Sequence, residues 1–181
     1  MKGMIFTEFL EMVEEQFSLA MVDTIIERAG LPSGGVYTAI GTYPHSEIVQ
    51  LVINLSQMTQ IPTPDLLHAF GERLFERFSV RYAHFLRNTP SAFDFLRRLD
   101  EYVHAEVKKL YPEAELPTFQ CTQQENGAMT LLYRSHRSMA DLAQGLIVGC
   151  FRHFGEHVHI GREDVSSGTG TAVKFILTPL T

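Results

Sequence analysis

The sequence contains no tryptophan, only two cysteines and no apolar run approaching the ~20 residues that a membrane-spanning helix needs. Two cysteines make no disulfide framework, so Cys121 and Cys150 are each expected to be small buried apolar residues. Glu8, Glu11 and Glu14 interrupt the apolar core that an amino-terminal signal peptide would need. These absences predict a cytoplasmic protein that has no membrane partner.

Positive charge is also scarce. The 15 Lys and Arg residues stand against 21 Asp and Glu, which gives a formal net charge of −6. Nucleic-acid binding requires a basic surface, so no nucleic-acid partner is expected. The glycines of the segment 31–44 are not followed by the Lys-Ser/Thr pair of a phosphate-binding loop, which argues against nucleotide binding.

Apolar residues are plentiful: 45% of the 181 residues are hydrophobic and 13 are Phe, which suits one domain with a large core. Asn126-Gly127 is a hairpin signal, and residues 166–170 are expected to turn a second hairpin. The predicted fold is α+β, with a helical amino-terminal part packed on a small antiparallel four-stranded sheet under one covering helix. Periodicity predicts helices over 3–17, 19–29, 46–57, 63–78, 80–86, 92–110 and 139–154, and strands over 118–123, 128–137, 158–163 and 172–177.

One histidine, His104, lies within the helix that Ser91 is expected to cap. His104 sits at the edge of an apolar stripe, with Asp100 and Glu101 on the wetter side, so its imidazole can point into an apolar cavity. The same pattern fits a partly buried histidine of an ordinary core. The stripe is expected to be buried and consists of Phe93, Leu96, Leu99, Val103, Val107 and Leu110.

Three hydrogen-bond donors follow the apolar run 129–132. Strand alternation places Tyr133, Ser135 and Arg137 on one face. A guanidinium fork with two hydroxyls suits a pair of carboxylates, because charge-assisted and bidentate hydrogen bonds are strong. The alternative is an exposed polar strand face that pairs with acidic residues nearby.

In combination, His104, Pro117 and the Tyr-x-Ser-x-Arg motif of residues 133–137 resemble the haem nitric oxide/oxygen binding (H-NOX) family, which includes the sensor part of soluble guanylate cyclase. The resemblance covers essentially the whole chain. It implies haem b (iron protoporphyrin IX) bound between a distal helical subdomain, 1–63, and a proximal subdomain with the sheet, 64–181. By this resemblance His104 is the proximal iron ligand, the three motif residues bind the haem carboxylates, and Pro117 presses against the macrocycle.

The resemblance also implies where the bound gas would lie. Oxygen-binding members carry a distal Tyr at the position where counting from Arg137 places Leu142. Because Leu142 has no hydroxyl, we expect a sensor of nitric oxide and carbon monoxide that excludes oxygen, unless Tyr43 or Tyr82 reaches the cavity. The expected distal residues, each also compatible with plain core, are Ile5, Phe9, Leu74, Phe78, Leu142 and Leu146.

The expected mechanism is a switch rather than catalysis. Gas binding would weaken the iron–His104 bond, release the helix and let Pro117 relax, which would present a new surface. The chain has no kinase, cyclase or phosphodiesterase motif. Similarity to stand-alone bacterial members therefore implies a separate partner, a histidine kinase or a cyclic-di-GMP enzyme.

Other interpretations remain open at this level. The same fold could bind oxygen, store haem or serve as a ligand-free protein-interaction domain. A Cys/His pair could support nucleophilic chemistry, although no orienting carboxylate stands at a recognisable spacing. A zinc site could form from Cys150, His153, His157 and His159 with Cys121, although Gly155 should end the helix and split this set.

Overall fold

The computed structural model describes residues 1–125, 127–167 and 170–180. The predicted turns at 125–127 and 166–170 each include residues outside these ranges. Among the described residues, no helix is both long and apolar enough to cross a membrane. The amino-terminal helices are α1 (Gly3–Gln16), α2 (Leu19–Ala29), α3 (His45–Thr59), α4 (Thr63–Arg81) and α5 (Ala83–Leu86).

Local sequence signals explain most of these helix boundaries. The Ser18 side chain accepts a hydrogen bond from the Met21 amide at 3.1 Å and starts α2, which ends where Gly30 adopts a left-handed conformation. The expected side-chain cap by Thr63 does not form. Proline residues instead precede both α3 and α4, because their fixed φ suits the entry to a helix.

The carboxyl-terminal half forms a four-stranded antiparallel sheet of order β1-β2-β4-β3 under a helix, which confirms the predicted α+β fold. Strand β2 stops at Ser135, so Arg137 lies beyond the strand and not within it as predicted. The elements are β1 (Thr118–Gln123), β2 (Met129–Ser135), α8 (Ala140–Phe154), β3 (Val158–Asp164) and β4 (Thr171–Pro179).

The histidine helix is the main departure from the predicted secondary structure. Ser91 caps it as expected, accepting from the Asp94 amide at 3.1 Å. The helix then runs as α6 (Ala92–Arg97), a π-helical segment (Leu99–His104) and α7 (Ala105–Leu110). Wider winding in the π segment breaks the spacing assumed for the apolar stripe, and Leu110 is 72% exposed rather than buried.

Two apolar clusters fill the interior, and helices α4 and α8 contribute to both. The first joins α1, α2 and α3 to α4 and to the start of α8. The second lies between α6, α8 and the inner face of the sheet. The side chain of Leu146, on α8, packs against both clusters. The α4–α8 pair therefore joins the two halves of the core.

Glycines allow α4 and α8 to approach closely. A Cβ atom added at Gly71 would lie 2.3 Å from the Leu142 carbonyl oxygen, and one at Gly145 would lie 2.0 Å from the His68 carbonyl oxygen. Both distances are far inside van der Waals contact with rigid backbone. The two helices therefore pack backbone against backbone only because these positions lack a side chain.

Substituting Gly145→Ala is expected to force α4 and α8 apart, with an overpacking cost of about 1–3 kcal/mol and a fall in Tm of about 3–10 °C. Circular dichroism melting measures the change. Gly161→Ala is the control, because its Cβ would meet Ile176 at an ordinary 3.5 Å. Equal melting temperatures for the two variants would contradict the close-packing argument.

Candidate functional site

The imidazole of His104 is fixed at one nitrogen. Its Nδ1 atom lies 2.7 Å from Asp100 Oδ1, one helical turn earlier. The other oxygen, Asp100 Oδ2, accepts the Phe119 backbone N–H at 2.7 Å. One carboxylate therefore orients the imidazole and ties its helix to the first residues of β1.

This contact sets the tautomer and charge of the imidazole. A carboxylate oxygen can only accept, so Nδ1 carries the proton and Nε2 keeps its lone pair. Burial lowers the pKa of His104 below its usual value; Asp100 opposes that change and Lys108 adds to it. Among the residues that the structure describes, none hydrogen-bonds Nε2, although the side chain is only 17% exposed. A neutral imidazole with one free nitrogen can ligate a metal.

The three residues of the Tyr-x-Ser-x-Arg motif are brought together. The Tyr133 side chain is buried, and burial raises its pKa, while the nearby Ser135 side chain and Arg137 act in the opposite direction. The Arg137 backbone N–H donates to Ser135 Oγ at 3.1 Å. The three side chains thus lie near one another at the end of β2, although only Tyr133 and Ser135 belong to the strand.

The Arg137 guanidinium already holds a carboxylate. Its Nη2 atom donates to Glu115 Oε2 at 2.9 Å and its Nη1 atom to the Glu115 carbonyl oxygen at 3.0 Å. The Arg137 side chain is 13% exposed, whereas that of Glu115 is 79% exposed. An ion pair with so exposed a partner contributes little net stability, so another carboxylate can replace Glu115 at small cost.

An aromatic ring connects the histidine to the motif. Phe119 lies opposite Tyr133 in the β1–β2 pairing, and their ring centres are 5.4 Å apart. The Phe119 ring also lies near the His104 imidazole, with 5.8 Å between the ring centres. Pro117 is half-buried and immediately precedes β1. The Phe119 ring therefore lies between His104 and Tyr133, and Pro117 stands two residues before it in the chain.

The six predicted distal residues gather in the first apolar cluster. Phe9, Leu74 and Leu142 are buried members of it. The others, half-buried, pack against that cluster: Ile5, Phe78 and Leu146.

The hydroxyls of Tyr43 and Tyr82, the alternative donors to a bound gas, both have partners within the protein. Tyr43 Oη accepts the Thr38 backbone N–H at 2.9 Å. Tyr82 Oη donates to Met4 Sδ at 3.6 Å. Each hydroxyl is therefore engaged within the amino-terminal part of the fold.

The zinc interpretation gains no geometric support. Among the described residues, no three His, Cys, Asp or Glu side chains lie close enough together to hold a metal ion. Cys150 points into the core while His153, His157 and His159 are exposed. Burial also raises the pKa of Cys121 to about 11, so its thiol is a poor nucleophile at neutral pH.

Sequence reasoning missed three residues of this region. Asp100 was assigned to the wet side of the helix, although its spacing of four residues from His104 is that of a helical side-chain pair. Glu115 and Phe119 lie in and after an irregular segment, where no periodicity indicates their neighbours. Only the tertiary structure brings these two residues to the site.

The donor set fits a haem. The free Nε2 atom of His104 can ligate iron, and the Arg137 fork with its two hydroxyl neighbours suits the carboxylates. The apolar side chains of α1, α4 and α8 are of the type that can line a flat macrocycle.

Comparison with known proteins leads to the same family. A sequence model of the family described as Haem-NO-binding matches residues 2–162. The fold is similar to the Fe(II) unliganded H-NOX protein of K. algicida, with 41% identity, a TM-score of 0.93 and coverage of 100% of this chain and 97% of that one. It is also similar to the H-NOX of Shewanella woodyi in the Fe(II)CO state, with 37% identity, a TM-score of 0.85 and coverage of 99% and 95%.

Among curated proteins, the chain is similar to soluble guanylate cyclase 89Da of Drosophila melanogaster, at 29% identity over 148 residues. The match takes in 77% of this chain but only 22% of the cyclase. Because the family model spans most of the sequence, the assignment does not depend on this relative. The chain belongs to the Haem-NO-binding (H-NOX) family of haem-based gas-sensor domains.

Proposed function

We propose that this domain binds haem b through His104 and senses nitric oxide and carbon monoxide. One observation carries the proposal: His104 is held at Nδ1 by Asp100 while its Nε2 atom has no partner among the described residues. When bound, haem iron supplies an open coordination position for a diatomic gas. Members of this family are sensors rather than catalysts, so we propose no enzymatic activity.

Each residue near the proposed haem has a separate task. Asp100 keeps His104 in the required tautomer and raises the electron density on Nε2. Tyr133, Ser135 and Arg137 hold the haem carboxylates, with Arg137 exchanging Glu115 for one of them. We propose that Pro117, fixed in φ and placed beside β1, presses on the macrocycle.

Gas selectivity is proposed to come from the absence of a donor on the distal side. Leu142 offers no hydroxyl at the position expected for the distal Tyr, and the hydroxyls of Tyr43 and Tyr82 are engaged elsewhere. Bound oxygen is polar and needs a hydrogen bond, whereas nitric oxide and carbon monoxide need it far less. Oxygen is therefore excluded.

Signalling is proposed to begin at His104. If His104 holds the iron, weakening of that bond would let the imidazole move, and the Asp100–Phe119 hydrogen bond would carry the motion towards the sheet. The receiver is proposed to be a separate histidine kinase or cyclic-di-GMP enzyme.

Replacing His104 by Ala is expected to remove the iron ligand. The purified variant should retain much less haem, and its ferrous form should lose the iron–histidine stretching band in resonance Raman spectra. His159→Ala removes an exposed imidazole and should leave both properties unchanged. A His104→Ala protein that keeps the wild-type spectrum and haem content would remove His104 from this role.

The Leu142→Tyr variant is expected to gain a stable ferrous–oxygen complex, because the new hydroxyl can donate to the bound gas. Leu142→Phe adds the same ring without the hydroxyl and is the matched control. Absorption spectra of the reduced proteins mixed with air distinguish the two. The selectivity argument fails if wild-type protein itself forms a stable oxygen complex.

Asp100→Asn is expected to weaken haem retention about 10–100-fold, as loss of a ligand's supporting hydrogen bond does at other metal sites. The iron–histidine stretch should also shift to lower frequency. Haem transfer to an excess of apomyoglobin measures retention. Glu101→Gln makes the same charge change at an exposed neighbour, and an equal effect there would show that Asp100 has no specific role.

A further inference from the structure

Lys2 makes an unusually complete set of contacts for a surface lysine. Its Nζ atom donates to the Ile40 carbonyl oxygen at 2.9 Å and to Thr42 Oγ1 at 3.1 Å. It also donates to Glu113 Oε1 at 3.3 Å and lies 4.2 Å from the centre of the Tyr111 ring. An ammonium group has three N–H donors, and here each one meets an oxygen.

On one side these contacts belong to the amino-terminal part of the fold. Lys2 pairs with Thr42 in an isolated β-bridge. The next two residues continue the attachment, since the Gly3 amide donates to the Gly41 carbonyl oxygen at 2.8 Å and the Met4 amide to that of Ala39 at 3.0 Å. The start of α1 and the loop before α3 are thus one backbone-bonded unit.

On the other side the contacts belong to the end of the histidine helix. The Tyr111 amide donates to the Val107 carbonyl oxygen at 2.9 Å, and the Ala114 amide donates to that of Tyr111 at 2.9 Å. Tyr111 is therefore attached to the last turn of α7, which follows His104 without a break. A displacement of His104 would therefore be passed along this helix to Tyr111 and Glu113, whose contacts with Lys2 it would change.

We propose that Lys2 is a latch that transmits movement of the histidine helix to the amino-terminal part of the domain. This inference rests on the proposed release of His104. Lys2 holds the loop before α3 by two hydrogen bonds. It holds the segment after α7 by one hydrogen bond and one ring contact.

Burial separates this arrangement from an ordinary surface ion pair. The Lys2 side chain is only 14% exposed, although Glu113 is 56% exposed. The pKa of Glu113 lies below its usual value, first through its own backbone N–H and then through Lys2. The ring face of Tyr111 adds an attraction that salt screens less than a free ion pair.

The test is hydrogen–deuterium exchange of the haem-loaded ferrous protein, with and without nitric oxide. Lys2→Met keeps the side-chain length but removes the charge and the donors. Exchange over residues 105–116 should become about fivefold faster than in the wild type. The nitric-oxide-induced change over residues 38–43, present in the wild type, should be lost.

Three further variants make the result specific. Lys109→Met removes an exposed lysine whose one ion pair within the described part of the chain is with Glu106, and this variant should behave as the wild type. Lys2→Arg keeps the charge and the ring contact and should retain the coupling. Glu113→Gln removes only the negative charge that faces Lys2, leaves the amino-terminal bonds intact and should weaken the coupling partly.

Two outcomes would overturn the latch: equal exchange in Lys2→Met and Lys109→Met, or an unchanged response over residues 38–43 in Lys2→Met. An absorption spectrum of each sample records whether haem and nitric oxide are bound. A wild type that binds neither would refute the proposed function. In that case the exchange rates of Lys2→Met and Lys109→Met, compared without gas, still decide whether Lys2 joins residues 38–43 to residues 105–116.

Discussion

The carboxylate of Asp100 is the contact on which the site depends. It holds His104 at Nδ1 and the backbone of Phe119 at the same time, both at 2.7 Å. Without it, the imidazole could rotate or take the other tautomer, and the π-helical segment would lose its hydrogen bond to Phe119 of β1. The π-helical winding of residues 99–104 is part of the same arrangement, because it determines which side chains of the helix face the sheet.

A second constraint joins the halves of the domain. Helices α4 and α8 share both apolar clusters and meet at glycines, so the two halves of the core are coupled through one tight contact. The amino-terminal part is attached again at the far end of the histidine helix, where Lys2 reaches Tyr111 and Glu113. If His104 moves as we propose, its motion would have two routes to α1: through the packed interior and through the Lys2 contacts at the surface.

The sequence predicted the architecture well, because helical spacing and strand alternation are strong wherever an element has one buried face. The Ser91 cap and the antiparallel pairing of the strands follow from such local rules. Local rules failed where tertiary contacts decide. Leu110, which follows the π segment, is exposed although the helical spacing predicted it to be buried. Arg137 lies beyond the end of β2, although strand alternation placed it within that strand.

For the site, the residue types of the motif indicated its chemistry, but not its supporting partners. Asp100 stands four residues before His104, a spacing that could have indicated the pair, whereas only the folded chain shows that Glu115 occupies the Arg137 fork. Phe119 becomes recognisable only through its pairing with Tyr133. Residues that act through a partner distant in sequence leave no local pattern.

The most direct test of the central claim is an NMR spectrum of the ferrous carbon monoxide complex labelled with ¹⁵N-histidine. For one of the eight histidines, the chemical shifts of the ring signals should be moved strongly by the macrocycle. Those signals should show that its Nδ1 is protonated and its Nε2 is bound to iron. Its Nδ1 proton should lie close to Phe119, and the signal should be assigned to His104. Eight ordinary imidazole signals, or a shifted signal from another histidine, would contradict the account.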